Sequence, residues 1–135
     1  MNARRHRPER LVALFVTVFW AAVVFAVDGL LSILIDADPV RPGVGPYYSI
    51  LAFLVAGFAL WMLLSGTSRS DRPIFGTVAA AAAVYLAFLV VALPWGISLV
   101  SQQALSPFVL TACVAAAAAV LATWLVLRQL RWRRR

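Results

Sequence analysis

Four long apolar runs separated by three short links organise this chain: Leu11 to Ile35, Tyr47 to Ser65, Pro73 to Leu99 and Pro107 to Leu127. A helix needs roughly 20 mostly apolar residues to cross a bilayer core about 30 Å thick, and each run is close to or above that length. The runs are apolar all round rather than alternating with period two, which predicts helices and not the strands of a membrane barrel. The links, residues 36–46, 66–72 and 100–106, are too short to fold on their own. Links of that length make consecutive helices antiparallel neighbours. The expected fold is an all-α, antiparallel four-helix transmembrane bundle over residues 11–127, between basic tails at 1–10 and 128–135.

Within a bilayer, helices meet through small residues and interhelical hydrogen bonds, because lipid supplies no hydrophobic drive between them. On the first span Ala13, Thr17, Ala21, Val24, Asp28 and Ser32 share one stripe, predicted to face protein, while Phe15, Phe19, Leu30 and Ile33 lie opposite, toward lipid. On the second, Ser49, Ala52, Ala56, Ala59 and Leu63 are set against Leu51, Leu54, Phe58 and Met62. The third carries Gly76, Ala80, Ala83, Ala87, Pro94 and Ser98 on its small side. On the fourth, Thr111, Ala115, Ala118, Ala122 and Leu125 are predicted inward, and Val109, Cys113, Val120, Trp124 and Leu127 outward. Spans three and four each hold five consecutive alanines flanked by valine. The match ends outside the alanines, so it is composition and not duplication, but it predicts close backbone approach.

Ends and breaks are marked by familiar chemistry. Ser70-Asp71-Arg72-Pro73 and Ser106-Pro107 put a capping residue ahead of a proline at the first helical position. Gly66 stands where a helix stops. Pro94 lacks a backbone donor and predicts a kink or end, with Trp95 as an aromatic anchor beside Gly96. Tyr47 and Tyr48 suit the opposite end of the second span. The link from Asp36 to Pro46 is rich in turn residues. Its two aspartates lack the regular oxygen ligands and terminal glutamate of a calcium loop.

Composition agrees with the pattern: 64% of residues are hydrophobic and 13% charged, against about half and a quarter in soluble domains. All twelve basic residues are arginine. Eleven fall on one side of the expected bundle, Arg4, Arg5, Arg7, Arg10, Arg69, Arg72, Arg128, Arg131, Arg133, Arg134 and Arg135, and only Arg41 on the other. Cytoplasmic links carry the excess of arginine and lysine, so both tails are expected in the cytoplasm. A strong bias of this kind disfavours the inverted dimers that some small transporters form. The arginine and alanine content suggests a bacterial inner membrane. The first run is longer than the apolar core of a secretory signal, about 7–15 residues, so it is expected to remain as a span.

Asp28 is the candidate functional residue. An acid at the centre of a spanning helix costs about 2.5–3.5 kcal/mol on insertion scales. It lies about 10 Å from the outer end by helical rise. It is a candidate proton or cation site, or a contact for a partner helix. The structural alternative is an acid satisfied by Ser49, Ser98 or Thr111, with Gly29 loosening the helix enough for water to enter. Arg128, Arg131, Arg133, Arg134 and Arg135 are candidate contacts for anionic lipid head groups, preferred over a nucleic-acid role. Tyr85 is expected to bond within the bundle, and Cys113 to behave as a small lipid-facing hydrophobe.

Neither paired carboxylates nor a nucleophile with a base lies at membrane depth, and His6 is the only histidine. That pattern predicts no enzyme and no cofactor or metal site. Four spans in so short a chain match small multidrug transporters and fluoride channels in size, but the motifs of both are missing and no family resemblance follows. The expected function is a non-catalytic accessory, assembly or structural component that contacts other membrane proteins or a second copy of itself. The alternative is a small oligomeric transporter or channel using Asp28.

Overall fold

The computed structural model describes residues 7–36, 44–45, 47–67 and 73–132, with side chains from Arg10 to Gln129 within them except that of Thr67. Among the described residues there are five helices: α1 (Arg7–Ile35), α2 (Tyr47–Thr67), α3 (Pro73–Ala92), α4 (Ile97–Ala104) and α5 (Pro107–Trp132). A 3₁₀ turn at Leu93–Trp95 joins α3 to α4. Four of the five are long and apolar enough to cross a membrane. The architecture is an all-α four-helix bundle, as the apolar runs predict.

Helix α1 packs on α2 and α5, and α3 packs on α2 and α5, so the four long helices close a ring. Long-range contacts fix its antiparallel register. Trp20, midway along α1, donates its indole N–H to the Ala112 carbonyl near the start of α5 at 3.2 Å. The Trp61 indole near the end of α2 reaches the Arg10 carbonyl near the start of α1 at 3.5 Å. Tyr48, at the start of α2, donates its hydroxyl to the Phe88 carbonyl near the end of α3 at 3.4 Å.

The 20 residues of α3 and 21 of α2 rise about 30 Å, one bilayer core. The 29 residues of α1 and 26 of α5 are longer. Their surplus carries Arg7, Arg10, Arg128 and Arg131 beyond the apolar run at one shared end of the ring.

The inward side of α1 is close to the one predicted, with Trp20 added and Ala21, Asp28 and Ser32 only partly buried. Helix α2 is turned by about one residue: Ala52 and Ala56 are buried as expected, but Ser49, Ala59 and Leu63 are only partly buried and Tyr48, Leu60 and Leu64 take the interior. Ala13, Thr17, Trp20 and Val24 are buried on α1, while Phe15, Phe19, Leu30 and Ile33 are exposed. On α2 the buried residues recur every fourth position: Tyr48, Ala52, Ala56, Leu60 and Leu64. Their outward counterparts Leu51, Leu54, Phe58 and Met62 are exposed. Phe53 links three helices through ring contacts with Trp20 and Phe25 of α1 and Phe88 of α3, at centroid distances of 5.7–6.4 Å.

Two further predictions change more widely, on the third and fourth spans. The third run does not continue as one helix to Leu99: α3 ends at Ala92, and Pro94 and Ser98 leave the inward stripe and are exposed. Pro94 forces the end by withholding a donor and occupies the 3₁₀ turn. Gly96 then takes φ 106° and ψ 161°, a conformation essentially restricted to glycine. The short α4 turns back on α3, where the Tyr85 hydroxyl donates to the Ala104 carbonyl at 3.2 Å.

The second change is a rotation of α5. Val109, Cys113 and Val120 are buried, with Ala112 and Ala116, while Ala118, Ala122 and Leu125 are exposed. The face expected toward lipid is the one that packs, and Cys113 is a buried thiol, 9% exposed, rather than a lipid-facing one. Helix α2 runs one residue past Gly66, to Thr67.

Candidate functional site

Asp28 falls on α1 because it continues the stripe of Thr17 and Val24 at helical spacing. It is half-buried, and its Oδ1 is buried with no hydrogen-bond partner. The expected satisfaction by Ser49, Ser98 or Thr111 therefore does not reach that oxygen. Thr111 donates instead to the Pro107 carbonyl one turn back, at 2.8 Å. Thr17 and Thr123 do the same to Ala13 and Ala119. Hydroxyls that bond their own helix in this way satisfy themselves without linking helices.

Helix α1 remains regular through Gly29, so no loosened turn accompanies the acid. A Cβ built on Gly29 meets nothing within 4 Å, which makes the flank of Asp28 an open surface. The register set by Phe25 against Phe53 places Asp28 level with the first turn of α2. The register set by Trp20 against Ala112 places it beyond the start of α5. Asp28 thus stands at the edge of the ring toward the end away from the start of α1, not on the central axis.

The axis itself is filled. Trp20, Val24, Tyr48, Leu60, Val84 and Val109 are fully buried side chains distributed along the bundle. Among the described residues no group of three His, Cys, Asp or Glu is placed to hold a metal ion.

At the opposite end, Arg128 lies over the ring of Trp124, 5.1 Å from its centroid. Both are on α5, one turn apart, so the helix itself aligns guanidinium and indole. Arg131 continues the helix, while Arg133, Arg134 and Arg135 lie outside the described residues. The sequence reading missed this pair and the Trp61–Arg10 contact. The Trp124/Arg128 spacing of four residues was the available signal for the first.

Comparison with protein-family models, curated proteins and solved structures finds no match to this chain. What the arrangement offers is therefore read from its own chemistry. The described bundle presents one intramembrane acid at an open edge, a close-packed apolar interior and a basic, tryptophan-bearing end.

Proposed function

We propose that this multi-pass membrane protein is a non-catalytic accessory or assembly component, docking other membrane proteins through its helical faces. The observation that carries this reading is the position of Asp28. A buried carboxylate oxygen without a partner is costly, and it lies beside open surface at Gly29. Oδ1 itself is occluded, so the carboxylate would turn toward that surface on docking, where a hydroxyl, amide or basic group on a neighbouring membrane helix would satisfy it. The filled interior favours the same reading over a pathway through a single bundle, since large apolar side chains occupy the axis where a solute would pass. The proposed setting is a cell membrane, bacterial on compositional grounds, with both tails cytoplasmic.

The test is a photoreactive amino acid placed at Gly29, activated in native membranes. The reading expects a crosslink to a second, distinct membrane protein that reverse tagging of that protein reproduces, and that Asp28→Leu abolishes. Crosslinks to lipid or to the chain itself alone would count against it. Proton or cation flux in proteoliposomes that Asp28→Asn eliminates would replace it with the transporter reading.

A further inference from the structure

The connection between the third and fourth long helices differs from the other two in carrying no charge. No acidic or basic residue falls between Arg72 and Arg128. The link 36–46 holds Asp36, Asp38 and Arg41, and the link 66–72 holds Arg69, Asp71 and Arg72. The uncharged connection folds as the short helix α4.

Three faces divide α4. Leu99 and Gln103, one turn apart, are buried where the helix packs on α3. Ser98 and Gln102 form an exposed polar face. Ile97 and Ser101, with Leu105 one residue past the helix end, follow at steps of four along a third, exposed face. Ile97 and Leu105 are 83% and 85% exposed, more than any other large apolar side chain among the described residues. Ser101 between them donates its hydroxyl to the Ser98 carbonyl at 3.0 Å, so its donor is satisfied within the helix.

This third face continues the outward sides of the neighbouring spans. Leu86, Val90 and Leu93 are exposed at helical spacing along α3 and its 3₁₀ extension, and Ile97 follows them across the Gly96 turn. Leu110 and Val114 are exposed beyond Leu105, in the first turns of α5. Trp95 meets Tyr48 at the start of α2 edge-on, ring centroids 5.6 Å apart. The corner therefore lies level with an aromatic pair of the kind found at a membrane–water interface.

We infer that α4 is an interfacial helix: its Ile97–Leu105 face is seated in the acyl boundary of the leaflet opposite the arginine-rich tails, with Ser98 and Gln102 toward water. Its partner is the lipid surface itself, held by apolar contact and not by charge. This contact is independent of the docking role assigned to Asp28.

The experiment places a nitroxide singly at Ile97, Ser98, Leu105 and, as a span reference, Val90. The full chain carries Cys113→Ala and is reconstituted in phosphatidylcholine bilayers. All four positions are exposed, so the label displaces no packed side chain. Collision rates are measured with oxygen, which concentrates among acyl chains, and with a water-soluble nickel chelate. Oxygen should exceed nickel at Ile97 and Leu105, as at Val90, and the order should reverse at Ser98. Exchanging phosphatidylcholine for phosphatidylglycerol should leave this ordering unchanged. Nickel exceeding oxygen at Ile97 and Leu105 would place α4 in water and overturn the inference. So would low rates with both reagents there, the mark of a protein cover such as a second copy, or an ordering that appears only with phosphatidylglycerol.

Discussion

The five alanines of α3 span one and a half helical turns, so the fold predicts opposite consequences for the same substitution two residues apart. Ala80 is fully buried, whereas Ala82 faces outward. Leucine at either position adds three carbons. At Ala80 they enter an interior already filled by Val84 and the facing helices, and overpacking of that kind costs typically 1–3 kcal/mol. At Ala82 they enter lipid, where a substitution away from contacts stays within about 0.5 kcal/mol. The buried thiol of Cys113 on α5 provides a reporter, since α3 and α5 pack together. When opening is fast relative to labelling, maleimide reacts in proportion to the open population. At a factor of ten per 1.4 kcal/mol, Ala80→Leu should speed labelling in mild detergent by roughly 5- to 150-fold. Ala82→Leu should change it by less than about threefold on the same arithmetic. Equal rates for the two variants would refute the orientation of α3. The pair Ala116→Leu and Ala118→Leu repeats the comparison on α5, where Ala116 is fully buried and Ala118 exposed.

Other substitutions read separate features. Gly96→Ala should destabilise the α3–α4 corner by about 1–3 kcal/mol, because φ 106° admits few side chains; thermal unfolding in detergent would register it. Gly57→Ala should be neutral or stabilising by up to about 1 kcal/mol, since its new Cβ meets Thr17 Cγ2 at 3.7 Å, an ordinary contact. Tyr85→Phe removes the bond to the Ala104 carbonyl and should raise hydrogen exchange in α4 at a cost of about 0.5–1.5 kcal/mol. Asp28→Leu should leave the isolated protein at least as resistant to unfolding as the wild type, because the oxygen it removes has no partner; a marked loss in the same unfolding assay would show that Asp28 holds the bundle together.

How legible the fold was depended on contrast between small and large residues. On α1 the alanines and threonine of one face stand against Phe15, Phe19 and Ile33 on the other, and the inward side follows directly. On α2 Ala52 and Ala56 stand against Leu54 and Phe58, which marks the side but not its centre, because large residues, Tyr48, Leu60 and Leu64, fill the interior in place of Ser49, Ala59 and Leu63. Helix α5 offers no such contrast, since Ala115 to Ala119 place a small residue on every face. Its orientation is decided instead by where Val109, Cys113 and Val120 find space against α1 and α3, which is tertiary information. Pro94 announced a break, but not that the chain would turn back as α4, because that depends on the Tyr85–Ala104 contact. Asp28 was legible as an anomaly from type and position alone. Its position at the ring's edge follows from α5 beginning below its level.

The central claim is that four of these helices cross a bilayer in alternating directions. Single cysteines in a Cys113→Ala background, placed in 36–46, 66–72, 100–106 and both tails, would be probed with a membrane-impermeant maleimide in expressing cells. The account predicts labelling of 36–46 and 100–106 in intact cells. The 66–72 link and the tails should label only after permeabilisation. Simultaneous labelling of 36–46 and 66–72 from the same side, or recovery of the chain as a monodisperse species without detergent, would contradict it.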